Sequence, residues 1–204
     1  MPLARRALFP ALAAWGAQTA GEWAPLFNGR DLDGWKEAPF DGRGKITTKD
    51  GEIRLGKGRM TGIAWTRDFP KTGYEIRFEA ARLNGKDFFA GITFPVNDTH
   101  CSWISGGWDG TVIGLSNLDG NDASENDTST NRDFETGRWY RFRLAVVPSR
   151  IRAWIDDVEI INVDISKRLV QIRFDDIDLC LPLGFASYAT EAGLRSIAYR
   201  RIAI

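Results

Sequence analysis

The chain has 204 residues, with 27 Lys+Arg against 27 Asp+Glu, so no basic excess marks it for nucleic acid or an anionic membrane surface. That length fits one large all-β domain, and 43% hydrophobic residues suffice for a substantial core. Eight Trp and twelve Phe supply many rings, which in an all-β chain serve as core and as sugar-stacking surface.

Residues 1–20 are predicted to be a signal peptide. Arg5 and Arg6 precede the alanine-rich apolar run Ala7–Ala17, and small residues follow around Ala17–Ala20. The run is too short to span a bilayer. Export to the periplasm or the medium is therefore expected, with one domain over residues 21–204. A short N-terminal arm is the alternative.

Phe27-Asn28-Gly29-Arg30-Asp31-Leu32-Asp33-Gly34-Trp35 comes next, a polar segment with an aromatic ring at each end. Asn-Gly and Asp-Gly pairs favour turns with positive φ. Phe27 and Trp35 would pin that turn to a core, and Asp31 and Asp33 are explained by turn chemistry.

Short strands follow, separated by turns. Glu52–Leu55 and Ile63–Thr66 are brief, and Tyr74–Ala80 alternates apolar with charged residues as a half-buried strand does. Phe88–Phe94, Cys101–Ser105 and Thr111–Ser116 are next, the last two joined by the glycine-rich turn that carries Trp108. Residues 117–136 form a long polar loop. Trp139–Val147 and Ile151–Ile155 make a hairpin, followed by Glu159–Val163, Leu183–Tyr188 and Leu194–Ile202. No helical periodicity, repeat, linker or composition break interrupts this pattern. It predicts an all-β, two-sheet antiparallel β-sandwich.

Alternation sorts the faces. Tyr140, Phe142, Leu144 and Val146 share one side of the hairpin with Ile151, Ala153 and Ile155. Trp139, Arg141, Arg143, Arg152, Trp154 and Asp156 take the other, where arginines can cap the rings or the rings can stack on a pyranose. In Phe88–Phe94 the same rule sends Phe88, Ala90, Ile92 and Phe94 inward and Phe89, Gly91 and Thr93 outward. In Thr111–Ser116 it sends Ile113 and Leu115 inward.

His100, the single histidine, lies beside Cys101, and two registers stay open. One puts Cys101 and Trp103 in the core with His100 and Ser102 on a ligand face; the other reverses them. The loop 117–127 holds four carboxylates and three carboxamides in eleven residues. These groups suit sugar hydroxyls, and the carboxylates also suit a divalent ion such as Ca²⁺ or Mg²⁺ at residues 119–127. The two cysteines, Cys101 and Cys180, allow one disulfide or two buried thiols. No GxSxG, phosphate loop or dinucleotide fingerprint is present.

Several segments together resemble a bacterial family described as 3-keto-disaccharide hydrolases, or 3-keto-glycoside lyases and hydratases, formerly a domain of unknown function. They are Phe27–Trp35, Gly137-Arg138-Trp139-Tyr140, Ile151-Arg152-Ala153-Trp154-Ile155-Asp156-Asp157, Gly184-Phe185-Ala186 and Leu194-Arg195-Ser196-Ile197. The resemblance implies a concanavalin A-like jelly roll with a carbohydrate site on one sheet face. It also implies cleavage of glycosidic bonds in sugars oxidised at C3, by a hydrolase or a lyase/hydratase. The family's Glu-x-Gln segment is missing, since Cys101–Gly107 carries no carboxylate. Acid–base work is therefore expected from His100, Asp119, Asp122 and Glu125, with Trp108, Asn126, Trp139, Trp154 and Arg141 binding a carbohydrate. A non-catalytic, lectin-like exported module is the alternative.

Overall fold

A computed structural model of the chain describes residues 21–174 and 177–203; the predicted signal peptide lies outside the described residues. In chain order the strands are Ala24–Pro25 (β1), Trp35–Glu37 (β2), Ile46–Lys49 (β3), Glu52–Leu55 (β4), Met60–Trp65 (β5), Tyr74–Asn84 (β6), Gly91–Val96 (β7) and Thr99–Gly107 (β8). They continue with Val112–Ser116 (β9), Thr130–Asn131 (β10), Trp139–Val147 (β11), Arg150–Ile155 (β12), Val158–Asp164 (β13), Gly184–Tyr188 (β14) and Glu191–Arg201 (β15). Among the described residues the helical content is one 3₁₀ turn, Ile177–Cys180.

Two antiparallel sheets form the predicted sandwich. The first runs β13-β12-β11-β6-β15-β4-β3, with β1 added to β15, and the second runs β10-β9-β8-β7-β14-β5-β2. Between them lies a core that includes Phe78, Phe142, Trp103, Phe185, Trp65 and Ile92. Phe78 stacks on Phe142 with centroids 4.8 Å apart, and Trp103 meets Phe142 edge-on at 5.4 Å.

The opening turn is pinned as its sequence suggests. Asn28 Oδ1 accepts the N–H groups of Arg30 and Asp31 at 2.8 and 3.0 Å, and Asp31 Oδ1 accepts that of Asp33 at 3.0 Å. Phe27 and Trp35 are buried, and Trp35 Nε1 donates to the Leu26 carbonyl at 2.8 Å. Gly34 has φ +84°, and a Cβ there would lie 2.6 Å from the Trp65 ring, so only glycine closes the turn.

The sorting of the hairpin and of β9 matches the core. Cys101 and Trp103 point inward, which puts His100 and Ser102 on the outer face. One assignment is reversed: Phe89 is in the core between the sheets, and Phe88 packs outside with Met60 and Ile104. The reason is that the strand begins at Gly91, so period-two alternation does not extend back through residues 88–90. Both cysteines are free and buried, Cys101 between the sheets and Cys180 in the cluster beyond the second sheet. Burial pushes the Cys101 thiol up to about 12.

Candidate active site on the outer face of the second sheet

Many of the outward positions of β7, β8, β9 and β14 are small, among them Gly91, Thr93, Ser102, Gly114, Ser116 and Ala186. A small-residue face lets other chain segments, or a ligand, approach the sheet closely. Thr93 and Ser102 satisfy each other across the strands at 2.9 Å. Residues 165–174 and 177–183 lie across this face as a strap, with Ile172, Ile177 and Cys180 clustered with Ile104, Ala186 and Phe88.

Beside the strap a cavity of about 420 Å³ stays open, within the range of small-molecule sites. Ser102, Ile104 and Ser116 form its floor, and Arg173 and Phe174 enter from the strap. Its rim carries rings with large exposed areas, Trp108 at 40%, Phe174 at 66% and Tyr188 at 36%. Tyr188 stacks on Phe88 at 6.0 Å.

Asp87 lines the same wall, and a second, more open groove that also holds Lys57, Lys86 and Asp109 meets the cavity there. Its backbone is fixed by Thr190, whose Oγ1 accepts from Asp87 N–H at 2.9 Å and donates to the Asp87 carbonyl at 3.1 Å. Burial pushes the Asp87 carboxyl above its ordinary value, and the neighbouring Asp109 adds to the rise. The N–H groups of Phe88, at 2.7 Å, and Trp108 together with the Arg82 charge act in the opposite sense. Sequence reasoning passed over Asp87, because one acidic residue in Gly85-Lys86-Asp87 reads as a solvated turn. The available signal was its place directly before the aromatic pair Phe88-Phe89.

The predicted site residues are dispersed. Trp108 lines the cavity. Asp122 reaches it indirectly, with Oδ2 3.5 Å from Arg173 Nη1 and Oδ1 accepting Ser124 N–H and Oγ–H at 2.8 and 2.7 Å. Asp119 clamps the strap: it accepts Leu169 N–H at 2.8 Å and pairs with Arg168, which also grips Asp127 bidentately at 2.9 Å. These bonds hold the Asp119 and Asp127 carboxyls below the usual range. Glu125 is exposed and outside the cavity lining.

The Asn126 side chain is buried and fully used within its loop. It donates to the carbonyls of Leu115 and Asp122 at 2.7 and 2.6 Å and accepts from Thr128 Oγ1 at 2.6 Å. His100 lies on the same face of β8 as Ser102 but outside the lining; burial and then Lys71 lower its proton affinity. In the expected metal loop Asp119, Asp122 and Asp127 are turned to Arg168, Arg173 and Ser124. Among the described residues no three His, Cys, Asp or Glu side chains gather as a metal site.

Trp139, Trp154 and Arg141 belong to the first sheet's outer face, away from this cavity. Trp154 lies under Arg143 and Arg152 at 3.7 and 4.7 Å, and Trp139 under Arg195 at 4.0 Å. Arg141 pairs with Asp157 at 2.8 Å.

Residues 22–173 match the family described as the 3-keto-alpha-glucoside-1,2-lyase-like domain. No curated protein matches the chain in sequence. Similar solved structures include the apo Crh5 transglycosylase, with TM-score 0.61 and 13% identity over 90% of this chain and 84% of that one. A Parabacteroides distasonis protein assigned to the glycosyl hydrolases has TM-score 0.58 and 14% identity over 89% and 94%. The carbohydrate-binding module CBM66 of Bacillus subtilis has TM-score 0.54 and 8% identity over 82% and 95%. At these identities the likeness concerns the fold. Among the described residues no helix is long and apolar enough to cross a membrane.

Proposed function

This chain belongs to the 3-keto-alpha-glucoside-1,2-lyase-like domain family, and we propose that it is a carbohydrate-active enzyme cleaving the C1–O bond of 3-keto-glycosides in the cavity beside Asp87. The observation that carries this reading is a half-buried carboxyl with raised proton affinity on the wall of a cavity rimmed by exposed rings. A carboxyl tuned upward toward the working pH can both accept and donate a proton.

The chemistry asks for little more. A ketone at C3 acidifies the C2 proton. When a base removes that proton, the electron pair forms the C1=C2 bond and O1 leaves, taking a proton from an acid. Water adding across C1=C2 then gives the 3-keto sugar, so elimination followed by hydration equals hydrolysis. Asp87 is the proton carrier in this scheme. Arg173 offers guanidinium donors to the charge that develops on the ketone oxygen, with Asp122 behind it. Trp108 and Tyr188 offer apolar faces to the sugar ring. The basic-then-apolar order of residues 5–17 supports export, which N-terminal sequencing of secreted protein tests.

One observation favours the second reading, a binding module without catalysis: Asp87 is the single carboxylate among the described lining residues. Incubating the folded protein with a 3-keto-α-glucoside and its unoxidised parent, with and without divalent metal, separates the two. Turnover of the keto substrate alone is expected. Saturable binding with no product would overturn the enzymatic reading.

A further inference from the structure

We propose that Arg82, a residue of the first sheet, is the positioning residue of the cavity on the second, locking the Gly106–Gly110 turn so that Trp108 and Asp87 face the same bound ring. This rests on the reading of the cavity as a substrate site.

Arg82 stands near the end of β6, in the inward row of Phe78 and Ala80, and is buried. Its guanidinium passes between two rings, 5.2 Å from the Phe89 centroid and 5.9 Å from that of Phe134. Beyond them it crosses to the other sheet. Nη2 donates to the carbonyls of Gly106 and Gly110 at 3.3 and 2.7 Å, and Nη1 to that of Phe134 at 3.5 Å. No described carboxylate forms a direct ion pair with it, and Nε has no described acceptor. A buried cation satisfied by carbonyl oxygens alone is costly to keep. Packing would be served as well by an apolar side chain of similar length.

What the cation holds is an unusual turn. Trp108 and Asp109 both have left-handed backbones, at φ +46° and +65°, and that conformation is a genuine outlier for a bulky residue such as tryptophan. Gly106 and Gly110 flank them, and both glycines close directly on the guanidinium. A Cβ on Gly106 would lie 2.5 Å from Arg82 Nη2, and one on Gly110 3.1 Å from Nη1. A strained turn of this kind persists only where its surroundings over-determine it. Its product is twofold: the Trp108 ring at the cavity, and a Trp108 N–H near enough to the Asp87 carboxyl to favour its ionised form.

The same cation acts on Asp87 by charge. The groups around that carboxyl are Arg82 from β6, Asp109 from the turn, Lys86 beside it in the chain, Arg173 across the cavity and Lys57 across the second groove. Arg82 favours the ionised form, against burial and Asp109. Removing it frees the turn and raises the proton affinity of Asp87 together.

The test uses Arg82→Met and Arg82→Lys in the whole protein. It follows the Asp87 carboxyl by ¹³C NMR titration and the Trp108 indole N–H by solvent exchange. In Arg82→Met the Asp87 midpoint should rise, Trp108 should exchange faster, and the Asp87 limb of the kcat/KM profile should move up with the midpoint. Arg82→Lys keeps the charge and loses the fork, so Trp108 should loosen while the midpoint stays near its original value. Unchanged Trp108 exchange in a folded Arg82→Met protein overturns the proposal, and an unchanged midpoint overturns its electrostatic half. If Arg82→Met does not fold, Arg82→Lys decides, since it keeps the charge and loses the fork that reaches the Gly106 and Gly110 carbonyls. Unchanged Trp108 exchange there overturns the proposal equally. Both NMR readouts need no substrate, so a wild-type protein that turns over no 3-keto-glycoside sinks the enzymatic reading alone.

Discussion

On the outer face of the first sheet, Trp154 lies between the guanidinium groups of Arg143 and Arg152, and Trp23 between those of Arg77 and Arg200 at 4.4 and 4.7 Å. Glu75 joins Arg143 and Arg200, and Glu79 pairs with Arg195 at 2.8 Å. On the outer face of the second sheet, Trp108 and Tyr188 stand exposed at a cavity, and Asp87 has no cation within ion-pair distance among the described residues. Both faces combine tryptophan with charge. The first consumes its chemistry internally, with these rings capped and these acids paired. The second leaves rings and an acid for something else to meet. Residue types alone therefore do not mark a ligand site; unspent bonding capacity does.

Four substitutions and one pH titration would break or sharpen that contrast. Asp87→Asn keeps the bond from Phe88 N–H but cannot carry a proton, so kcat on a 3-keto-glycoside should fall at least about 100-fold with the melting temperature held. A loss of less than tenfold would remove Asp87 from the chemistry. Trp154→Ala should do the reverse, lowering stability by roughly 3 kcal/mol in denaturant unfolding while the kinetics of the folded fraction stay put. A change in KM there would mean that the first sheet's face binds substrate.

Trp108→Ala should raise KM roughly tenfold, the equivalent of about 1.4 kcal/mol of lost ring contact, whereas Trp139→Ala should leave KM unmoved. Equal effects from the two would erase the difference between the faces. The smallest effect concerns the strap. Asp119 is held below its ordinary value by the Leu169 N–H and then by Arg168, and Asp127 by Arg168. Carboxyls depressed in the folded state contribute stability that is present above the unfolded value of about 4 and is lost as pH falls through the lower folded value. The Leu169 amide shift should thus stay constant from neutral pH to about 4 and move only below it. A midpoint at the ordinary value of about 4 would show that the clamp is absent in solution.

The fold was readable where alternation is long and regular. Trp139–Val147 shows the pattern of β11 end to end, because nine residues with Tyr140, Phe142, Leu144 and Val146 inward leave one register that buries them. Strands β1, β2 and β10, of two or three residues, carry no period to read and exist through their partners. Phe88 and Phe89 show the limit from the other side, since either ring could be the inward one until Gly91 fixes where the strand starts.

For the site, the exposed ring in a glycine-rich turn was legible as Trp108, and the loop 117–127 was legible as polar. Asn126 could not be known to be satisfied until Leu115, Asp122 and Thr128 surrounded it. By itself, then, the sequence determined the two-sheet sandwich, the pinned turn from Phe27 to Trp35 and the family, because these follow from short-range patterns of polarity and turn-forming pairs. Only the tertiary structure decided which charges are spent and which are left over. The surroundings of Asp87 include residues 109 and 190, which are distant in the chain, and the Arg82 guanidinium, which reaches across from the other sheet; burial and charge act through space.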